Sequence, residues 1–290
     1  MRLRAAAFVI LLALAPRATA VGELLLDCPE RVDEGTAFVI AVAADTGTDS
    51  LRVDWLGETL RPALLPGPGG LEARAVLGMG MHERLDGDVH TLTVTAWRRG
   101  VAQRVTQGIA REPRDYPEQH LEVAQEFNEM SPEKLERIRK EQAATREALR
   151  RVTPSPRWPL PLSRPVAGRT TSDFGLRRFF NGEPKNPHTG VDFGAKAGTP
   201  VSVCADGVVI LTGEHYFAGN CVYVDHGDGL VSMYYHLSAI GVTVGQPLRR
   251  GEILGRVGAT GRVTAAHLHW GVSAQGQLVD PLLLMDPAER

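Results

Sequence analysis

Thr264-Ala265-Ala266-His267-Leu268-His269-Trp270-Gly271-Val272 is the stretch on which the reading of this chain turns. Taken as a β-strand, it puts His267, His269 and Gly271 on one face and Leu268, Trp270 and Val272 on the other. The second face is packing and the first is chemistry. Two imidazoles side by side both become cationic near neutral pH unless a metal or an anion is at hand. The pattern therefore asks for a metal, and for further ligands elsewhere in the chain.

They are found in Pro187-His188-Thr189-Gly190-Val191-Asp192-Phe193-Gly194. His188 and Asp192, four apart, share a face with Gly190 if the segment is a strand, while Val191 and Phe193 point to the core. A helix would also align them, but Gly190, Gly194 and the preceding proline argue against one. With one of the two late histidines they supply two nitrogens and one oxygen. Three such ligands around zinc leave a fourth position open, the arrangement of a catalytic site. A structural zinc would want a closely spaced cysteine pair, and Cys28, Cys204 and Cys221 offer none. A third stretch, Ser232-Met233-Tyr234-Tyr235-His236-Leu237-Ser238, ends a candidate strand with another histidine, and alternation puts Ser232, Tyr234 and His236 on one face. Six of the nine histidines follow residue 187, so they track this candidate site rather than the surface at large. Of the others nearby, His215 and Glu214 are expected in a solvated loop and His226 in a turn.

Outward from the site, the C-terminal region reads as short strands joined by glycine-rich turns, such as Val208 to Leu211, Cys221 to Asp225 and Leu230 to His236, suited to an antiparallel sheet. Cys204 and Cys221 fall on neighbouring candidate strands and could bridge in an oxidising compartment, the alternative being three unpaired thiols that simply pack. Before it, Thr153-Pro154-Ser155-Pro156-Arg157-Trp158-Pro159 favours extended backbone. From Arg111 to Arg151 the composition is charged. Ser131-Pro132-Glu133 starts a helix there, with Ser131 as N-cap and Pro132 at the first helical position. Glu133 with Arg137 and Glu136 with Lys140 are placed to pair at i, i+4. Only Leu135, Ile138 and Leu149 give that helix an apolar stripe, so it reads as a strut rather than a membrane-surface helix.

From Leu24 to about Ile109 the period is two: Phe38 to Val42 is apolar, Leu51, Val53 and Trp55 alternate with polar residues, and so do Leu92, Val94 and Ala96. This predicts an immunoglobulin-like β-sandwich, in which the isolated His82 and His90 carry no ligand pattern. The first residues, a basic start, an apolar run from Ala5 to Pro16 and Arg17-Ala18-Thr19-Ala20, form a cleavable export signal. Cys28 follows Asp27, which is no lipid-anchor context. No other stretch is apolar enough to span a bilayer. A formal net charge of −2 over 290 residues gives no electrostatic case for nucleic acid. The expected organisation is thus a signal over 1–20, a β-sandwich over 21–110, a helical and proline-rich linker over 111–156 and a β-rich domain with the candidate metal site over 157–290, mainly β throughout.

From about Arg157 to Pro281 the chain resembles the M23 family of zinc metallopeptidases, the lysostaphin-like peptidoglycan endopeptidases. The resemblance rests on Thr171-Ser172-Asp173-Phe174-Gly175 with Arg177 and Arg178, His188 through Asp192, Gly198-Thr199-Pro200-Val201, Asp225-His226-Gly227, Tyr235-His236-Leu237-Ser238, Gly258-Ala259-Thr260-Gly261 and His267-Leu268-His269-Trp270. Ala265-Ala266 departs from the Gly-Pro usual in the family. The resemblance implies one zinc per chain on His188, Asp192 and His269, with His236 and His267 as the two histidines that assist the reaction. Metal-assisted hydrolysis needs a base and a donor to the developing oxyanion; His267 is expected as the base and His236 as oxyanion donor and acid to the leaving amine, with the reverse division open. The implied function is hydrolysis of peptidoglycan cross-links or bridges by an exported protein, periplasmic first and secreted second. The alternatives are a silent regulator that activates a cell-wall amidase, through a partner the sequence does not name, and a general secreted protease.

Overall fold

The computed structural model describes residues 24–81, 87–122, 131–154 and 159–290. The export segment expected over 1–20, His82 and part of the second proline-rich linker lie outside the described residues. Strand accounts for 51% and helix for 10%, so the chain is mainly β.

The N-terminal residues build two sheets around one core. Leu25–Asp27, Thr36–Ala44, Gly70–Met79 and Leu65–Gly67 form a four-stranded sheet. Arg31–Asp33, Val101–Glu112, Val89–Arg98, Ser50–Trp55 and Glu58–Leu60 form a five-stranded one. The alternation seen in the sequence is what fills the space between them. Phe38, Ile40 and Val42 from one sheet meet Leu51, Val53, Trp55, Leu92 and Val94 from the other, with Trp55 edge-on to Phe38 at 5.4 Å. These residues are apolar on one face only because the other face of each sheet meets solvent or the rest of the chain.

The C-terminal half is a ten-stranded sheet. Its central run is Arg169–Ser172, Val191–Gly194, Leu268–Ala274, Leu230–Ile240, Gly219–Asp225 and Gly207–His215, all antiparallel. Leu268, Trp270 and Val272 pack with Val191, Phe193, Val222 and Val224 in the main core, whereas Cys221, Tyr223, Val231 and Met233 face the opposite side with Leu149 of the helix. This sorting overturns the cysteine bridge. Cys221 lies on the helix side of its strand and Cys204 in the main core, so the two thiols are unpaired and separated by the sheet.

Residues 111–154 do more than connect. Glu118–Leu121 pairs in parallel with Arg177–Phe180, aligning Gln119 with Arg178. The helix spans Pro132–Leu149; Ser131 caps it by accepting from the Lys134 amide, and Pro132 opens it. Glu136 pairs with Lys140 as expected, but Arg137 turns from Glu133 to Glu141 and to the carbonyl of Glu214. The reason is tertiary: the helix lies on the hairpin made by Gly207–His215 and Gly219–Asp225, where Glu141 accepts from the Tyr216 amide at 2.7 Å. His215 and Glu214 end the strand Gly207–His215 rather than lying in a loop; the Glu214 side chain is solvated as expected, while its carbonyl meets the helix and His215 is half-buried.

The two β regions share packing. Ala37, Val76 and Tyr116 join the main core of the C-terminal sheet. The Gln275 side chain accepts from the Gly78 amide and donates to the carbonyls of Val76 and Asp228, all within buried surroundings.

Candidate metal centre and active site

Three side chains converge at one end of the central strands. His188 Nε2, Asp192 Oδ1 and His269 Nδ1 lie 2.9 to 3.0 Å from one another, and all three residues are buried. Asp192 and His269 are directly opposite across Val191–Gly194 and Leu268–Ala274, which fixes their separation by strand register. His188 does not lie in the strand, as its spacing from Asp192 suggested. It precedes the strand, held by two backbone hydrogen bonds, Gly175 N to His188 O and His188 N to Leu176 O. The turn Asp173–Leu176 thereby becomes a cradle. His188 Nδ1 donates to the carbonyl of Asp173 at 2.8 Å, so Nε2 carries the lone pair that faces the other two donors.

Gly190 is required by the closeness of this packing. A Cβ there would lie 2.5 Å from the Trp270 carbonyl and 2.7 Å from His269 Nε2. On the other face of His269, Tyr235 stacks at 5.1 Å and 14°. Tyr235 passes a hydroxyl hydrogen bond to Tyr223, whose oxygen is 3.0 Å from Thr145 on the helix. Burial works to raise Asp192, but hydrogen bonds and charge from His188 and His269 outweigh it and hold the carboxyl far below the usual carboxylate range. Burial pushes His269 down, toward the neutral form a ligand needs.

Two buried nitrogens and a carboxylate oxygen that close on one another with lone pairs inward are a donor set for zinc, for which neighbouring ligand atoms of a tetrahedral site stand about 3.3 Å apart. The residues therefore fit the metal that the sequence called for.

His236 and His267 complete the cluster, their rings 4.8 Å apart. His267 Nε2 is 3.7 Å from Asp192 Oδ1, and its Nδ1 donates to the carbonyl of Ala265. His236 Nδ1 donates to the carbonyl of Thr260 at 3.0 Å. Both rings thus present Nε2 to the site. The alternation expected for Ser232, Tyr234 and His236 breaks at the last of these. Ser232 and Tyr234 face the core, where Ser232 bonds Tyr234 and His226. His226 opens the turn between Gly219–Asp225 and Leu230–Ile240, as expected, but its ring is buried against the Asp206 carbonyl and the Cys204 thiol. His236 has φ of +63°, which swings its ring to the side that Tyr235 occupies. Such a conformation costs about 1–3 kcal/mol for a residue other than glycine. Its amide bond to the Ala218 carbonyl and its ring bond to Thr260 hold it there. Burial, then the charges of His269 and His267, push His236 down to about 4 in the metal-free protein.

Ser172, Thr260 and Tyr235, which support the histidines, carry no signal in their own spacing. Only their place in the recurring blocks around Thr171–Gly175, Tyr235–Ser238 and Gly258–Gly261 marked them.

Beside the triad opens a cavity of about 360 Å³, lined by Asp192, His267, Arg178, Ser172 and Gln119 among others.

The model of peptidase family M23 matches residues 186–281, which contain the three converging donors and both other histidines. A crystal structure of a Pseudomonas aeruginosa protein assigned by name to peptidase M23 is 32% identical, with a TM-score of 0.63, and the match covers 87% of this chain and 94% of that one. The chain belongs to peptidase family M23. Among curated M23 relatives, peptidoglycan DD-endopeptidase ShyA of Vibrio cholerae is 42% identical over 115 residues, covering 39% of this chain and 27% of its own. DD-carboxypeptidase/endopeptidase Mpg of Neisseria meningitidis is 40% identical over 122 residues, covering 42% and 28%. The match thus spans little more than a quarter of these relatives.

Proposed function

We propose that this chain is a zinc-dependent endopeptidase that hydrolyses peptide bonds in peptidoglycan, in stem-peptide cross-links or bridges, outside the cytoplasm and in the periplasm first. The observation that carries the reading is the inward-facing triangle of His188, Asp192 and His269 in an M23 chain, flanked by two further histidines with Nε2 turned to the same point. The curated relatives' names support the polymer.

His188 Nε2, Asp192 Oδ1 and His269 Nδ1 would hold one zinc. Bound there, it supplies a Lewis acid that polarises the scissile carbonyl and brings water toward ionisation near neutral pH. The remaining work falls to the protein. Asp173 and Gly175 keep His188 in the tautomer that binds. His267, whose Nε2 lies next to Asp192, takes the proton from the attacking water. His236, whose other nitrogen Thr260 fixes, takes at Nε2 the second proton of the attacking water and hands it to the leaving amine. Residues 21–110 and 157–290 act as a sandwich domain and a peptidase domain, with 111–156 between them.

Digestion of purified sacculi by the zinc-loaded protein tests this. New amine termini are expected, and none from the Asp192→Asn variant. Untouched sacculi with cleaved casein would select a general protease, and untouched sacculi with no proteolysis a silent regulator.

A further inference from the structure

We infer that Arg178, set beside the metal triad by the Glu118–Leu121 strand, binds a free carboxylate on the residue that flanks the scissile amide, and so selects carboxylate-bearing stem-peptide cross-links over uncharged bridges. This rests on the peptidase reading above and narrows its substrate.

The cavity lined by Asp192 and His267 is also lined by Arg178 and Gln119. Parallel pairing of Glu118–Leu121 with Arg177–Phe180 puts these two residues in register. Arg178 comes from the block Thr171–Arg178 that precedes the ligand segment, and Gln119 from the linker strand laid beside it. Arg178 is half-buried, and its Nη2 donates to Ser172 Oγ at 3.4 Å. Ser172 Oγ in turn lies 3.3 Å from His188 Nδ1. One hydroxyl therefore separates the guanidinium from a zinc ligand, which brings a group bound by Arg178 within about a residue's reach of the reacting bond.

Among the described residues no carboxylate pairs with Arg178, although Arg31, Arg98, Arg111 and Arg137 all have carboxylate partners. A guanidinium held without one keeps its planar fork for an incoming carboxylate, which it meets with two parallel N–H donors. The only acid lining the cavity among the described residues is Asp192, and its Oδ1 is turned to His188 and His269. With a divalent cation on the triad, the cavity lining is positive there and at Arg178. An anionic substituent is attracted there, and an uncharged bridge gains nothing from the guanidinium. Gln119 adds a neutral amide donor to the same lining.

The test uses two cross-linked stem-peptide dimers that differ only at the carboxyl group flanking the scissile amide, free acid in one and primary amide in the other. The full chain is expected to favour the acid in kcat/KM by about tenfold or more, the scale of one charge-assisted hydrogen bond. In Arg178→Gln the ratio should fall to within about threefold of one, and Arg178→Lys should restore part of it. Zinc content should stay at the native level in both. A role through Ser172 and His188 alone would instead lower zinc content and both substrates together, and that outcome overturns the inference. So does a native ratio near one, which leaves the peptidase reading standing. Cleavage of neither dimer overturns both.

Discussion

At the residue scale the site depends on departures from regular alternation. His236 reaches the zinc side through a positive φ, and His188 through a turn whose carbonyl selects its tautomer. The burial that readies these rings has a cost below neutral pH. In the metal-free protein the unfolded chain protonates His236 near 6.5, whereas the folded chain resists to about 4. Stability attached to this group is complete above pH 6.5 and falls by about 3 kcal/mol as pH drops through that window. His269 is depressed in the same direction and adds to the loss. The gain from Asp192, held below the usual carboxylate range, is lost only at still lower pH. Urea midpoints of the chelator-treated protein at pH 7 and 4.5 should therefore differ more than those of His236→Gln. Equal differences would contradict the account. The donors were legible in the sequence because ligand types at short spacing are rare in combination. The φ of His236 was not, since nothing in Tyr235-His236-Leu237 distinguishes a left-handed residue from an extended one.

At the element scale the helix is a brace. Ser131 and Pro132 announced its start, because capping is local chemistry. Its docking was hidden, because it uses Glu141, Thr145 and Leu149 against a hairpin more than sixty residues away. That hairpin leads through Ala218 to the His236 amide and through Phe217 to the Arg262 amide, beside the Thr260 that fixes His236. Glu141→Ala removes the acceptor for Tyr216 N. Hydrogen exchange at that amide should quicken about tenfold, with a global loss of about 1 kcal/mol. Unchanged protection at Tyr216 would show that the helix does not hold the hairpin.

At the scale of the whole molecule, the sandwich and the ten-stranded sheet are joined through buried contacts rather than tethered. Alternation of apolar residues revealed both β regions, since each needs one dry face. It gave no hint that Val76 and Ala37 face a second core, or that Gln275 plugs the seam. A glutamine at a turn looks solvated until its partners are known. Gln275→Ala leaves the Gly78 amide and the Val76 and Asp228 carbonyls short of a partner, and should cost about 2–3 kcal/mol in urea unfolding. A loss below about 0.5 kcal/mol would mean the two halves do not depend on that seam. The strand Glu118–Leu121 carries the same coupling into the cleft, where Gln119 and Arg178 line one cavity with Asp192 and His267. The central claim, a zinc peptidase acting on the cell-wall polymer, is tested most directly by mass analysis of muropeptides from sacculi digested with the zinc-loaded chain. The account predicts that cross-linked dimers disappear in favour of monomers with a new amine terminus, and that Asp192→Asn leaves the dimers whole. Dimers that persist with the native protein at full zinc occupancy would contradict it.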